Sequence, residues 1–169
     1  MSFPNIATRR KRAEEPARPA LRTRTILVVE DRADDVELLQ DMFRRSGILN
    51  PLQVVETVHD TICYLKGEGI YNDRDKYPFP ALILLDLHLP DGTGFDVLQW
   101  LDLNRARCPV AAVVLTGSDL KAIKRSYSLG AHSFLVKPLK FEDFANMVMN
   151  VRGIKLTRTS EGQVLELDL

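Results

Sequence analysis

Five polar residues stand where short apolar runs end. Glu30-Asp31 follows "TILVV", Asp86 follows "ALILL", Thr116 follows "VAAVVL" and Lys137 follows "SFLV". A charge at the end of a greasy strand costs free energy unless an opposite charge or a hydrogen bond meets it. Taken singly, each has a plain structural explanation. Acids are favoured at a helix start, Thr116-Gly117 reads as a strand-to-helix turn, and Lys137-Pro138 reads as punctuation. Taken together they form a chemical set. Carboxylates a few ångströms apart repel by about 4 kcal/mol per close pair at an effective dielectric of 20, and such a cluster holds its protons. A hard divalent cation removes that penalty, and carboxylates with water suit Mg²⁺ in octahedral geometry. What remains is a free carboxylate oxygen, a hydroxyl and an ammonium. That is equipment for moving a phosphoryl group onto an aspartate. Metal binding alone would have no use for Thr116 and Lys137.

The elements that must position these residues follow a regular alternation from Thr25 onward. The strand "TILVVE" leads into the helix "RADDVELLQDMFRRSG", with Val36, Leu39 and Phe43 at helical spacing and Gly47 closing it. The strand "LQVVETV" precedes the helix "HDTICYLKGEG", and a polar, aromatic loop "IYNDRDKYPFP" leads to the strand "ALILLD". Then come the helix "GFDVLQWLDLN", the strand "VAAVVL", and the helix "SDLKAIKRSYSLG" with Ser118 or Asp119 as N-cap. The strand "SFLV" and the helix "KFEDFANMVMNV" complete the set. Apolar strands that each lead to a helix predict a doubly wound α/β fold, a five-stranded parallel sheet covered on both faces. In such sheets the working site lies beyond the carboxyl ends of the strands. The five polar residues are all predicted there.

In this order the blocks "LVVEDRADD", "LLDLHLPDGTGF", "VVLTGS" and "SFLVKPL" resemble the signature of the receiver domain of two-component response regulators, the CheY-like family, across residues 25–152. The resemblance implies the strand order 2-1-3-4-5. It implies a phosphoaccepting Asp86, with Asp31 binding Mg²⁺ directly, Glu30 through water, and the main-chain carbonyl of His88 as a further ligand. His88 itself is expected to border the site, because an oxygen-rich Mg²⁺ site has no need of imidazole. Thr116 and Lys137 would each meet a phosphoryl oxygen, Gly94 matches the glycine after the phosphoacceptor, and the peptide before Pro138 is expected to be cis. Phe134 holds the position of the family's switch aromatic, Phe here where Tyr is common; the alternative is a fixed core residue. Switching is expected on the face of residues 119–152, with Lys124, Arg125, Tyr127 and Lys140 exposed. The resemblance implies a phosphoacceptor signalling protein rather than an enzyme, apart from self-catalysed phosphotransfer and dephosphorylation. Its sender would be a sensor histidine kinase. Its output would be a downstream protein target, dimerisation, or onward transfer to a phosphotransfer protein. The long loop from Gly67 to Pro80 resembles that of single-domain regulators paired with phytochrome-type photoreceptor kinases, commonly homodimers.

Composition bounds these readings. Hydrophobic content of 45% and charged content of 27% are those of a soluble globular chain. No apolar run approaches a membrane span, and no apolar stretch follows the basic start. No membrane contact and a cytoplasmic location are expected, with Cys63 and Cys108 as packing residues. The net charge of zero hides an asymmetry, because residues 1–24 carry seven Lys/Arg against two Glu. This segment reads as a disordered basic arm. Its "RRKR" is read as a solvated tail rather than a nucleic-acid contact, since no aromatics or recognition helix accompany it.

Two further readings meet obstacles in the sequence itself. "DGT" also occurs in haloacid-dehalogenase-type phosphatases, but those want an aspartate two residues before the Asp of that triplet, and Leu89 stands there. A degenerate receiver used as a scaffold would not need the intact set of five. The tail of residues 153–169 predicts a β-hairpin folded at Glu161-Gly162, with Leu156 opposite Leu167, Ile154 opposite Leu169 and Lys155 opposite Asp168. A lone hairpin is marginal in water. Its apolar side is therefore expected against the body or against a second protomer, as a dimerisation arm; the alternative is a frayed tail.

Overall fold

The structure, a computed structural model, describes residues 24–168. The basic arm therefore lies outside the described residues except for Arg24, as does Leu169. Elements run β1 (Ile26–Val29), α1 (Ala33–Arg45), β2 (Leu52–Val55), α2 (Val58–Lys66), β3 (Leu82–Asp86), β4 (His88–Leu89), β5 (Gly92–Thr93) and α3 (Gly94–Leu103). They continue with β6 (Ala111–Thr116), α4 (Leu120–Ser128), β7 (Ser133–Val136), α5 (Phe141–Asn150), β8 (Ile154–Arg158) and β9 (Gln163–Leu167). Five strands form one parallel sheet in the order β2-β1-β3-β6-β7. This is the expected doubly wound order 2-1-3-4-5 once only the sheet strands are counted.

Strand side chains alternate between faces, and the two faces carry two cores. Ile26, Val28, Leu82, Leu84 and Val113 pack with Leu39 and Phe43 of α1 and Phe144 and Val148 of α5. Leu27, Val29, Ile83, Leu85 and Val114 pack with Tyr64 of α2 and Val97 and Leu98 of α3. Burial on both sides explains why these strands read as unbroken apolar runs. Fully burying one such side chain stabilises by about 1.5–3 kcal/mol.

A clear departure from an expected boundary is at β2. The strand expected over "LQVVETV" stops at Val55, because Thr57 caps α2 by accepting the Asp60 N–H at 2.9 Å. The α2 helix ends at Gly67, whose φ of +71° suits a residue without Cβ. Beyond it, the long aromatic loop is organised around Arg74. Its guanidinium donates to the carbonyls of Tyr64 at 2.8 Å and Leu65 at 2.9 Å, closing the helix end. Tyr64, Tyr71 and Tyr77 pack ring against ring with centroids 5.1–6.0 Å apart.

The tail folds as an antiparallel hairpin, β8 on β9, with Ile154 opposite Leu167 and Leu156 opposite Leu165. That register is displaced by two residues from the expected one. Thr159 is the cause. Its hydroxyl accepts the N–H groups of Glu161 at 3.2 Å and Gly162 at 3.1 Å, and its own N–H donates to the Gly162 carbonyl at 2.7 Å. The turn is therefore centred on Ser160-Glu161. Since side chains repeat every two residues, a slip of two keeps the same apolar face. That face lies on the chain's own body: Ile154 and Leu165 are buried in the core beside α1 and α5. Asn50 clamps it, donating to the carbonyls of Arg24 and Leu165 at 2.8 Å each and accepting the Leu165 N–H at 2.6 Å. Lys155 still reaches Asp168, at 3.4 Å.

Candidate functional site

The carboxyl ends of β1, β3, β6 and β7 face one another through strand pairing alone. Val29 is paired with Leu85, Asp86 with Leu115, and Thr116 with Val136. One residue beyond β1 stands Glu30, one beyond β7 stands Lys137, and Asp86 and Thr116 are themselves strand ends. Glu30 is 1% exposed and Asp86 5%, and Thr116 is also buried, whereas Asp31 is open to solvent.

Oxygens of Glu30, Asp31 and Asp86 all lie within 4.8 Å of one another. Lys137 Nζ donates to Glu30 Oε2 at 2.5 Å, to Asp35 Oδ2 at 2.9 Å and to Asp86 Oδ2 at 3.1 Å. The other Asp86 oxygen accepts the His88 N–H at 3.2 Å. Burial pushes the Glu30 carboxyl up from its ordinary value, against the Lys137 hydrogen bond and the Arg32 N–H, which draw it down. Burial alone would lower the Lys137 ammonium, but the hydrogen bonds it donates to Glu30 and Asp35 and the charge of Asp86 outweigh it and raise its pKa. The lysine is therefore firmly cationic, yet it and the exposed Arg32, 3.8 Å from Asp35, face four carboxylates. An all-oxygen set of three acids in reach of one another, with negative charge in excess, fits a hard divalent cation.

The loop after β3 is built to hold Asp86 in place. The β4–β5 turn carries Asp91, whose carboxylate accepts the N–H groups of Val58 at 2.8 Å and His59 at 3.0 Å at the start of α2. Asp91 thus ties the β4–β5 turn to the start of α2. Gly94 donates to the Leu87 carbonyl at 3.0 Å. A Cβ on Gly94 would lie 2.5 Å from the Asp86 carbonyl oxygen, so only glycine permits this approach. The His88 imidazole is almost wholly exposed, with Nδ1 3.9 Å from Asp86 Oδ1. The Lys137-Pro138 peptide is cis. Phe134 is half-buried and meets Tyr127 edge-on at 6.1 Å, while Arg125 stacks on Phe95 at 4.2 Å.

Asp35 is the residue the sequence reading missed. A signal existed: Asp35, Leu39 and Phe43 are spaced four apart, so Asp35 shares the helix face that α1 turns toward the sheet. Its neighbour Asp34 is exposed and does not share it.

Residues 26–149 match the protein family described as response regulator receiver domain. Over 134 residues the chain is 31% identical to response regulator Rcp1 of Synechocystis sp., spanning 79% of this chain and 89% of that protein. Among solved structures, the bacteriophytochrome response regulator RtBRR is similar at 33% identity with a TM-score of 0.73, over 83% of this chain and 84% of that one. The Mn²⁺-bound form of Rcp1 is similar at 32% identity with a TM-score of 0.61, over 73% of this chain and 88% of that one.

Proposed function

Because the chain belongs to the response regulator receiver family of signalling proteins, we propose that Asp86 accepts a phosphoryl group from a sensor histidine kinase and that the modified domain passes the signal on. The observation that carries this reading is the meeting of Asp86 with Lys137 and two further acids at the strand ends. A carboxylate oxygen of Asp86 attacks phosphorus, the bond from phosphorus to the donor histidine nitrogen breaks, and that nitrogen keeps the electron pair. Glu30, Asp31, Asp86 and the His88 carbonyl would hold Mg²⁺, which supplies charge neutralisation for the transferring group. Lys137, already beside Asp86, donates to one phosphoryl oxygen, and Thr116, at the end of the neighbouring strand, to another.

For Thr116 to donate it must turn toward the modified Asp86, which frees space beside β7. Phe134 then moves inward, withdrawing from Tyr127 and changing the face made by α4, β7 and α5. Tyr127 and Val136, with Leu120 and Met149, are the exposed large apolar residues of those elements. A partner, a second copy or a phosphotransfer protein would read this change.

The sender is proposed to be a phytochrome-type kinase, on the strength of the similarity to RtBRR and to the regulator AtBRR, both described as bacteriophytochrome response regulators. A cytoplasmic setting is supported by the unpaired Cys63 and Cys108, and no helix among the described residues is long and apolar enough to cross a membrane. The proposed homodimer draws on the switching face, with the docked hairpin as a second candidate contact.

Labelling with a small phosphodonor and a divalent cation tests the central step. Wild type is expected to take up one phosphoryl group and Asp86→Asn none; label of equal yield in Asp86→Asn would place the acceptor elsewhere. An intact domain that binds its partner equally in both forms would instead favour a phosphorylation-independent scaffold.

A further inference from the structure

At the amino ends of the strands, opposite the carboxylate cluster, lies a cleft of about 880 Å³. Small-molecule sites occupy roughly 300–1,000 Å³. Arg24, Arg105, Arg107, Arg152 and His132 line it. They arrive from four segments: before β1, after α3, before β7 and after α5. Two acids also border the cleft, but both are engaged. Asp102 pairs with Arg105 at 2.7 Å, and Asp168 pairs with Lys155 at 3.4 Å. Among the described residues no carboxylate pairs with Arg24, Arg107 or Arg152.

The walls are shaped around these groups. Gly130 has φ of +88°, and a Cβ there would lie 2.9 Å from Arg105 Nη2, so the glycine leaves room for the guanidinium to lie across it. His132 Nδ1 accepts the Ala112 N–H at 3.1 Å, which leaves Nε2 to carry the proton as a donor. The floor is apolar, formed by the buried Leu98, Leu101 and Val110 beside Phe79.

We propose that this cleft binds a nucleoside phosphate, the phosphates held by the unpaired arginines and the base laid on the apolar floor. Guanidinium groups match phosphate oxygens with paired hydrogen bonds. Inorganic phosphate would leave the floor bare, and a simple carboxylic acid would leave arginines unused. Gly153, Ile154 and Leu167 of the hairpin also line the cleft. The ligand therefore spans the seam between body and hairpin, and its binding holds the hairpin docked.

The test is titration of the full chain with fluorescently labelled ADP, without divalent cation, at physiological salt. Saturable binding of one ADP is expected. Arg107→Ser and Arg152→Ser should each weaken it about tenfold, the loss of one charged hydrogen-bonding partner. Asp86→Asn should leave it unchanged, and pyrophosphate should bind at least about tenfold more weakly, having no base. The proposal is overturned by an absence of saturation, by arginine variants that bind as wild type does, or by pyrophosphate binding as tightly as ADP. A hexaglutamate peptide that outcompetes ADP would overturn it in favour of an acidic protein segment.

Discussion

Lys137 Nζ lies 2.5 Å from Glu30 Oε2, nearer than the 3.1 Å that separates it from Asp86. The buried glutamate therefore anchors the lysine, and Asp35 shares it. A phosphoryl group on Asp86 would draw the ammonium away from partners it already has. The proposed phosphorylation would thus act by redistributing the Lys137 ammonium among acids.

Lys137→Ala leaves Glu30 buried without its cation. The divalent-free protein is expected to lose about 2 kcal/mol of stability, less than the full cost of a broken buried pair because the lysine is 25% exposed. Cation binding should be retained and should restore part of the loss, since it neutralises the same acids. Urea unfolding with and without Mg²⁺ measures both. A variant as stable as wild type would mean that the Glu30 contact contributes nothing.

Gly94→Ala places a methyl group against the Asp86 carbonyl. Relief requires the chain after β3 to shift, at about 2 kcal/mol, and the shift moves Asp86 relative to Glu30. Weaker Mg²⁺ binding and slower labelling should accompany the lower stability. Unaltered metal affinity would show that the loop yields without disturbing the carboxylates.

Asn50→Leu removes three hydrogen bonds and leaves the buried Leu165 N–H and carbonyl without that partner. A cost of about 2 kcal/mol is expected, with faster amide exchange across β8 and β9. Light scattering on a chain lacking residues 154–169 separates the hairpin's two proposed tasks. A change of oligomeric mass implicates it in assembly, and an unchanged mass confines it to covering the core.

His132 sets a pH dependence away from the carboxylates. Burial first, and then the Arg105 charge, hold its pKa below 6.5, against the Ala112 N–H it accepts. In that range the unfolded chain binds more protons than the folded one, so stability rises with pH. The contribution is complete above the unfolded value of 6.5, and is lost progressively as pH falls from there to the folded pKa. His132→Gln should flatten the unfolding midpoint over this window relative to wild type. Parallel profiles for the two proteins would contradict it.

Periodicity carried the sheet. Strands buried on both faces must be apolar at every position, and the helices that cover them must repeat near every fourth, so the number and order of the main-sheet strands and their helices were legible in the chain, whereas the two-residue strands β4 and β5 were too short to show. The polar residues at strand ends were legible for the same reason, since they interrupt a pattern with no other cause to stop. What the pattern could not contain were relations between distant segments. The three carboxylates that share Lys137 come from the residue after β1, from α1 and from the end of β3, and whether Asp34 or Asp35 joins them depends on how α1 is rotated against the sheet. The hairpin was legible as a hairpin, but its register was decided by the Thr159 hydroxyl and by docking against Asn50. The arginine cleft left no mark at all, because its residues are scattered from 24 to 152 and each alone reads as an ordinary surface charge. Local sequence determines which elements form and which faces they bury; only the packed tertiary structure decides which charges meet, because that depends on distance in space and not along the chain.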